Sequence, residues 1–317
     1  MKKRILFRAD GNTKIGLGHI FRSLSLADSL QHNFEITFSS LDEVKTDFSF
    51  IKVKDEEHFL NEVIDSYDTI VLDGYKFDSD YQKKIKQKNK KLVCIDDIPK
   101  IHFYADVVIN HNPGINPDSY SIEPYTKLCI GTDYCLLRKE FIEASYEESA
   151  NVSNGNVYLC FGGSDFKNLT NKVLKELVKV NSVNSINVVV GSAYNYKNEL
   201  SETAQANKNI SIYENISANE IISLIKNSEF AICPSSAVAY ESLLVGTKLI
   251  TGYYADNQRE FYKYLVNKQN AVGLNNFDVV DKSLFTETFR DLKSKKKTKI
   301  KSLNPSENFL TLFKSLN

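Results

Sequence analysis

The stretch "RILFRADGNTKIGLGHIFRSLSLADSL", Arg4 to Leu30, decides the fold. Arg4 to Ala9 is rich in Ile, Leu and Phe, which suits a strand. Asp10-Gly11-Asn12 is turn chemistry. Ile20, Leu24, Ala27 and Leu30 recur at helical spacing, so a helix is predicted to start near His19. Strand, glycine loop and helix follow one another. Gly16 and Gly18 let the backbone approach a ligand, and the helix start presents unpaired N–H groups. An imidazole there, when neutral, can serve as a general base. The spacing is not that of a Walker loop or a dinucleotide fingerprint, since neither GK[ST] nor G-x-G-x-x-G occurs here. A tight turn with a capping histidine is the other reading of this loop.

The pattern continues outward. Strand candidates are "FEITFSS" (34–40), "DTIVLDG" (68–74), "KLVCIDD" (91–97), "DVVINHN" (106–112) and "KLCIG" (127–131). Lys- and Glu-rich stretches between them, "DEEHFLNEVIDSY" and "DSDYQKKIKQKNK", read as surface helices. This alternation predicts a parallel sheet covered on both faces. At 143–156 the composition turns polar and aperiodic and ends in Asn-Gly, which marks a linker. A second series follows: strands "NVYLCFGG" (156–163), "INVVVG" (186–191), "ISIYE" (210–214), "FAICPSS" (230–236) and "KLITGY" (248–253). Helices are expected at "NLTNKVLKELVKV" and "SANEIISLIKN". The expected division is therefore 1–145 and 146–317, two Rossmann-like α/β domains facing a cleft that holds the carboxyl ends of both sheets.

Composition limits the function classes. The 317 residues hold 42% hydrophobic residues, enough for a real core, and 40 basic against 40 acidic residues. That balance gives no broad electrostatic footprint for nucleic acid or anionic lipid. The short basic run "KSKKKTKIK" (293–301) reads as a solvated segment. The N-terminus has no apolar signal core, and no run approaches a membrane span. Five scattered cysteines within apolar runs are expected to be reduced and buried, as in a cytoplasmic protein. No CxxC pair or His-rich pattern proposes a metal site, and no cofactor is expected.

Three further stretches point to a ligand. In "CFGGSDFKNLT", Gly162 and Gly163 allow close approach, and Ser164 and Asp165 can cap the next helix. In "ICPSSAVAYESLLVGTKLITGYYADNQ", a buried strand ends at Pro234, Ser235 and Ser236, and a helix begins at Ala237. Its N–H groups and the serine hydroxyls form a diphosphate receptor. Glu241, one to two turns in, can reach ribose hydroxyls. Asn257 and Gln258 supply amides beside the site. A structural role for any one of these residues is also available.

The second-half pattern resembles nucleotide-sugar enzymes of the GT-B type, which bind UDP in their C-terminal domain. The opening "RADGNTKIGLGHIFRSLSLA" resembles the UDP-2,4-diacetamido-2,4,6-trideoxy-β-L-altropyranose hydrolases of pseudaminic acid biosynthesis, relatives of spore-coat polysaccharide proteins. "LDGYKFD", "CIDD", "LLRKEF" and "CFGGSDFKN" follow in the family's order, and the resemblance covers residues 3–275. It implies metal-independent hydrolysis of a UDP-sugar, with inversion at C1. It implies that His19 is the catalytic histidine acting on water, and that N–H groups after Pro234 receive the charge of departing UDP. Asp73 and Tyr75 are expected to contact sugar or position water, and Asp10 to join the substrate contacts. Arg138 is expected either to reach the nucleotide or to form a structural salt bridge, while Asp96 and Asp97 are taken as structural. The chain departs from the family at Gly74, where a larger polar residue is usual, and in a longer tail beyond Gly273. A GT-B glycosyltransferase using the same donor site is the alternative function, and a non-enzymatic nucleotide-sugar binder is a further one.

Overall fold

A computed structural model describes residues 2–12, 16–148, 152–268, 271–279, 281–294 and 304–316. Residues 13–15 of the glycine loop, 149–151 of the expected linker and 295–301 of the basic run lie outside the described residues. The chain divides into two compact units, Met1–Leu136 with Asn304–Asn317, and Leu137–Leu303.

The first unit carries β1 (Arg4–Ala9), β2 (Glu35–Ser40), β3 (Ser49–Lys52), β4 (Thr69–Asp73), β5 (Lys91–Ile95), β6 (His102–Phe103), β7 (Val107–Asn110), β8 (Ser121–Ile122) and β9 (Lys127–Ile130). Seven of these form one parallel sheet in the order β3-β2-β1-β4-β5-β7-β9, while β6 and β8 pair separately. All five residues of β4 are buried, as a strand covered on both faces requires. The chain leaves β1 toward β2 on one side and later returns to β4 on the other. The switch point of this sheet therefore lies between β1 and β4. Register sets Ala9 beside Asp73 at the carboxyl ends of these strands.

The second unit repeats the plan with β10 (Asn156–Cys160), β11 (Ser185–Val190), β12 (Ile210–Glu214), β13 (Phe230–Pro234), β14 (Lys248–Tyr253) and β15 (Val272–Asn276). Their order is β12-β11-β10-β13-β14-β15, all parallel, so its switch point lies between β10 and β13. Both units are thus Rossmann-like α/β sheets. Among the described residues no helix is long and apolar enough to cross a membrane, and all five cysteines are free and buried.

Two details differ from the expected division at 145/146. Helix Lys139–Ser145 belongs to the second unit, where Arg138 at its start bonds Glu241. The last helix, Pro305–Ser315, belongs to the first. Its Phe309, Leu312 and Phe313 enter the same core cluster as Leu30 and Phe34, and the Phe313 ring lies edge-on to Phe34 at 6.2 Å. The Asn308 side-chain amide donates to the Asp133 carbonyl at 2.9 Å. The tail thus completes a core, with each large apolar side chain contributing about 1.5–3 kcal/mol by burial.

Candidate active site

The helix Gly18–Leu30 begins just past the first switch point. Gly16 has φ 82°, and its N–H donates to the Asn12 carbonyl at 2.8 Å, closing the loop in a conformation glycine adopts without strain. Gly18 is different: a Cβ there would meet nothing within 4 Å, so packing does not demand glycine. His19, Arg22 and Ser23 stand at i, i+3 and i+4, and this spacing aims all three at Asp73.

Asp73 is 1% exposed and fully engaged. Its Oδ1 lies 2.7 Å from His19 Nδ1 and 2.6 Å from an Arg22 terminal nitrogen, and its Oδ2 accepts from Arg22 Nε at 2.7 Å and Ser23 Oγ at 3.2 Å. Burial alone would raise this carboxyl. The charges of Arg22 and His19 and their hydrogen bonds instead hold it below its ordinary value. A terminal nitrogen of Arg22 also lies 3.0 Å from His19 Nδ1. Arginine only donates and the carboxylate only accepts, so the two contacts call for opposite tautomers; the shorter one, to Asp73, puts hydrogen on Nδ1 and leaves Nε2 as the acceptor. Among the described residues nothing bonds Nε2. Arg22 continues to Asp97 at 3.1 Å, and Asp97 accepts from the Tyr75 hydroxyl at 3.0 Å. The exposed Tyr75 ring stands edge-on to the His19 imidazole at 4.9 Å.

This geometry corrects two expectations. Asp73 does not face a ligand, because four donors occupy it; it positions His19. Asp10 is likewise taken up inside the fold. Arg8 grips it with bonds of 2.6 and 2.9 Å, Ser40 and the Leu41 N–H donate to it, and Lys76 pairs with it. Arg8 also bonds Glu56 at 2.5 Å, and Glu56 accepts from Tyr81 at 2.6 Å. This cluster ties the ends of β1 and β2 together. Asp97, expected to be structural, belongs to the His19 network. Arg22 was the residue missed, although its position three residues after His19 was a usable signal. His111 is a second histidine near Arg22; burial pulls its imidazole down to about 4, so it stays neutral at physiological pH.

In the second unit, Ser235 is buried. Its N–H donates to the Gly252 carbonyl at 2.8 Å and its hydroxyl shares a 3.0 Å bond with Thr251, so it holds β13 to β14. Ser236 precedes helix Ala237–Val245, and its side chain does not cap that helix. Ala239 N–H turns back to the Ser236 carbonyl, while the N–H groups of the half-buried Ala237 and Val238 have no acceptor among the described residues. The helix Leu169–Leu177 is arranged in the opposite way. The Asp165 carboxylate accepts from Leu169 N–H at 2.9 Å and Thr170 N–H at 2.7 Å, filling that helix start. Of the two helix starts at this switch point, the one after Ser236 is open to an anion.

Glu241 is buried one turn further along. Its Oε1 accepts from two Arg138 nitrogens, each at 2.9 Å. Burial raises the Glu241 carboxyl and Arg138 pulls it back. Arg138 is therefore placed in a salt bridge. Gly163, on the same loop as the half-buried Ser164, packs backbone to backbone against Gly191, where a Cβ would lie 2.4 Å from the Gly163 oxygen. Gln258 accepts from the Tyr254 N–H at 2.9 Å and braces the turn that carries the half-buried Asn257.

No family model matches the chain. Comparison with curated proteins finds an uncharacterized protein of Methanocaldococcus jannaschii, 31% identical over 292 residues, 86% of this chain. The chain spans 60% of that relative's length. The UDP-2,4-diacetamido-2,4,6-trideoxy-beta-L-altropyranose hydrolase of Campylobacter jejuni is 26% identical, covering 84% of this chain and 97% of that protein. The spore coat polysaccharide biosynthesis protein SpsG of Bacillus subtilis is 25% identical, covering 90% and 88%. Among solved structures, Acinetobacter baumannii MurG superposes with TM-score 0.63 at 13% identity over 99% of both chains. Anabaena HepE in complex with UDP gives 0.61 at 14% identity, over 99% of this chain and 95% of that one. The fold is that of the GT-B glycosyltransferases.

Proposed function

We propose that the chain hydrolyses a UDP-linked 2,4-diacetamido-2,4,6-trideoxy sugar, releasing UDP and the free sugar with inversion at C1, a reading supported by its similarity to the Campylobacter hydrolase and SpsG. The observation that carries this reading is the His19–Asp73 pair. Nδ1–H points to a buried carboxylate, so Nε2 can take a proton from water as the water oxygen bonds C1. The C1–O bond to the diphosphate breaks in the same displacement. Asp73 holds the tautomer and balances the imidazolium that forms, and Tyr75, beside the imidazole, contacts the sugar.

UDP binding is assigned to the second unit. The Ala237 and Val238 N–H groups, with the Ser236 hydroxyl and the Gly163–Ser164 loop, receive the diphosphate charge. No metal takes part in this scheme. Glu241 accepts from the ribose hydroxyls, held in place by Arg138, and Asn257 lies beside the nucleotide. Free, buried cysteines fit a cytoplasmic setting.

The test is incubation with a panel of UDP-sugars, including the diacetamido-trideoxy altrose, followed by NMR. UDP release without an acceptor, with the inverted anomer formed first, is expected. The glycosyltransferase fold favours one other reading, transfer to a sugar or lipid hydroxyl. UDP release that requires an added acceptor would establish that reading instead.

A further inference from the structure

The first unit contains a pocket that the reaction scheme does not use. It lies at the carboxyl ends of β4 and β5, holds about 260 Å³, and is lined by Gly74, Tyr75, Asp96, Ile98, Lys100 and Ile101, with Gln82 the one polar side chain in an otherwise apolar remainder. None of His19, Arg22 and Asp73 lines it. Tyr75 connects the two places: it forms part of the pocket wall, and its ring is 4.9 Å from the His19 imidazole. A group seated in the pocket therefore lies one aromatic ring from the reacting centre. Gly74 has φ +152°, and a Cβ there would lie 3.2 Å from the Phe77 ring, so this wall stays bare backbone.

The lining selects a chemistry. Asp96 is partly buried and accepts from the Tyr120 hydroxyl at 2.8 Å; a carboxylate has further lone pairs to offer. Lys100, also in the lining, is exposed and forms no ion pair among the described residues, so its ammonium is available. Ile98 and Ile101 add apolar surface to the same lining. An acceptor, a cationic donor and an apolar wall together fit a secondary amide with a short alkyl chain. The amide N–H meets Asp96, the carbonyl meets Lys100, and the alkyl group covers the isoleucines. A carboxylate would be repelled by Asp96, and a bare hydroxyl would leave the apolar wall uncovered.

Size narrows the choice further. The volume is below the ~300–1,000 Å³ of pockets for whole drug-sized ligands, so it receives a substituent and not a nucleotide. It exceeds the roughly 150 Å³ that accommodates benzene, so it has room beyond the two carbons of an acetyl group. Building on the hydrolase reading, we infer that this pocket holds an N-acyl group of the sugar and that Ile98, Ile101, Asp96 and Lys100 set acyl specificity, with propionyl accepted as well as acetyl.

The experiment compares UDP-sugars that differ only in bearing a hydroxyl, acetamido or propionamido group at one ring position. Wild type is compared with Ile101→Trp, which fills the pocket. Ile98→Trp serves if the first variant does not fold. The chain has no tryptophan, so either indole also reports folding by its own fluorescence. In the variant, kcat/KM for the acylamino donors should fall roughly 10- to 200-fold, mostly through KM, the range for a mismatch of a methylene or so in a hydrophobic pocket. The hydroxyl donor should be unaffected. In parallel, saturation-transfer NMR with a free N-acetylated amino sugar should give an acetyl methyl signal with wild type and none with the variant. UDP release that ignores both the acyl group and the substitution, with no methyl signal, overturns the pocket assignment and leaves hydrolysis standing. A methyl signal with wild type that disappears with the variant, without UDP release from any donor, upholds the pocket and removes the hydrolase reading. Absence of both removes both.

Discussion

The two units share a strand order over six strands, the first carrying one more at its edge, and differ in what stands at the switch point. In the first, charged side chains converge: Arg8, Asp10, Glu56 and Lys76 on one side, His19, Arg22, Asp73 and Asp97 on the other. In the second, small residues surround a helix start that offers bare N–H groups, and the carboxylate one turn along, Glu241, is already matched with Arg138. One topology therefore supports two kinds of chemistry. Side chains locked by each other can hold a proton at a chosen atom, whereas backbone dipoles stabilise an anion without titrating.

If that division is right, the largest effect comes from His19. His19→Asn should lower kcat by roughly 10²- to 10⁴-fold, the range for loss of a general base, and change UDP affinity less than twofold. Steady-state kinetics and calorimetry read the two quantities separately. A variant within threefold of wild-type turnover would show that proton transfer does not run through this imidazole.

Asp73 tests whether the first switch point is held by its charges. Asp73→Asn leaves Arg22 with Asp97 alone in a buried setting, and breaking a buried pair costs about 3–5 kcal/mol. The sign with pH follows from the depressed carboxyl. The unfolded chain, near its ordinary value of 3.8, binds the proton more readily than the folded one. The ionised form therefore adds stability above that value, and the gain is lost as pH falls through the lower folded value. Urea unfolding of wild type should show this acid loss, and Asp73→Asn should show a flatter acid limb. Equal acid limbs would mean that Asp73 contributes no charge-linked stability.

Glu241 tests the second switch point. Glu241→Ala should weaken UDP binding by roughly 10- to 150-fold, equivalent to charged hydrogen bonds of about 1.5–3 kcal/mol. Binding of 2′,3′-dideoxy-UDP should barely change. Equal losses for both ligands would assign Glu241 to holding Arg138 rather than the ribose.

Much of this arrangement was legible in the residues alone. The ten strand candidates after the opening one fall on β2, β4, β5, β7, β9, β10, β11, β12, β13 and β14; most are near-continuous apolar runs because they are buried parallel strands, whereas the half-exposed β9 and β12 stood out by their Ile, Leu and Tyr content. The edge strands β3 and β15 were missed; "SFIK" is partly exposed and "VGLNN" carries glycine and asparagines, so neither has that signature. His19 and Glu241 were singled out because each sits near a helix start that follows a strand end. That Asp73 bonds His19, Arg22 and Ser23 had no local sign, since a strand-end aspartate reads the same whether it faces a ligand or a buried arginine. The fate of the tail was hidden for a related reason: which core receives Phe309 and Phe313 is a tertiary fact with no local pattern.

The smallest expected effect separates the two helix starts of the second unit. Asp165 fills the start of Leu169–Leu177 with its own carboxylate, accepting two backbone N–H bonds. Helix Ala237–Val245 has no such cap. Asp165→Ala should therefore cost about 0.5–2 kcal/mol of stability, the range for a lost helix cap, read from the urea midpoint. Emptying that start also exposes N–H groups that could compete for an anion. If the diphosphate belongs to Ala237 and Val238, UDP affinity should stay within about threefold, less than 1 kcal/mol. A rise in affinity beyond that would mean that Asp165 had been masking the better phosphate site. A large fall at unchanged folding would mean that the Asp165 loop, and not the uncapped helix, carries the diphosphate.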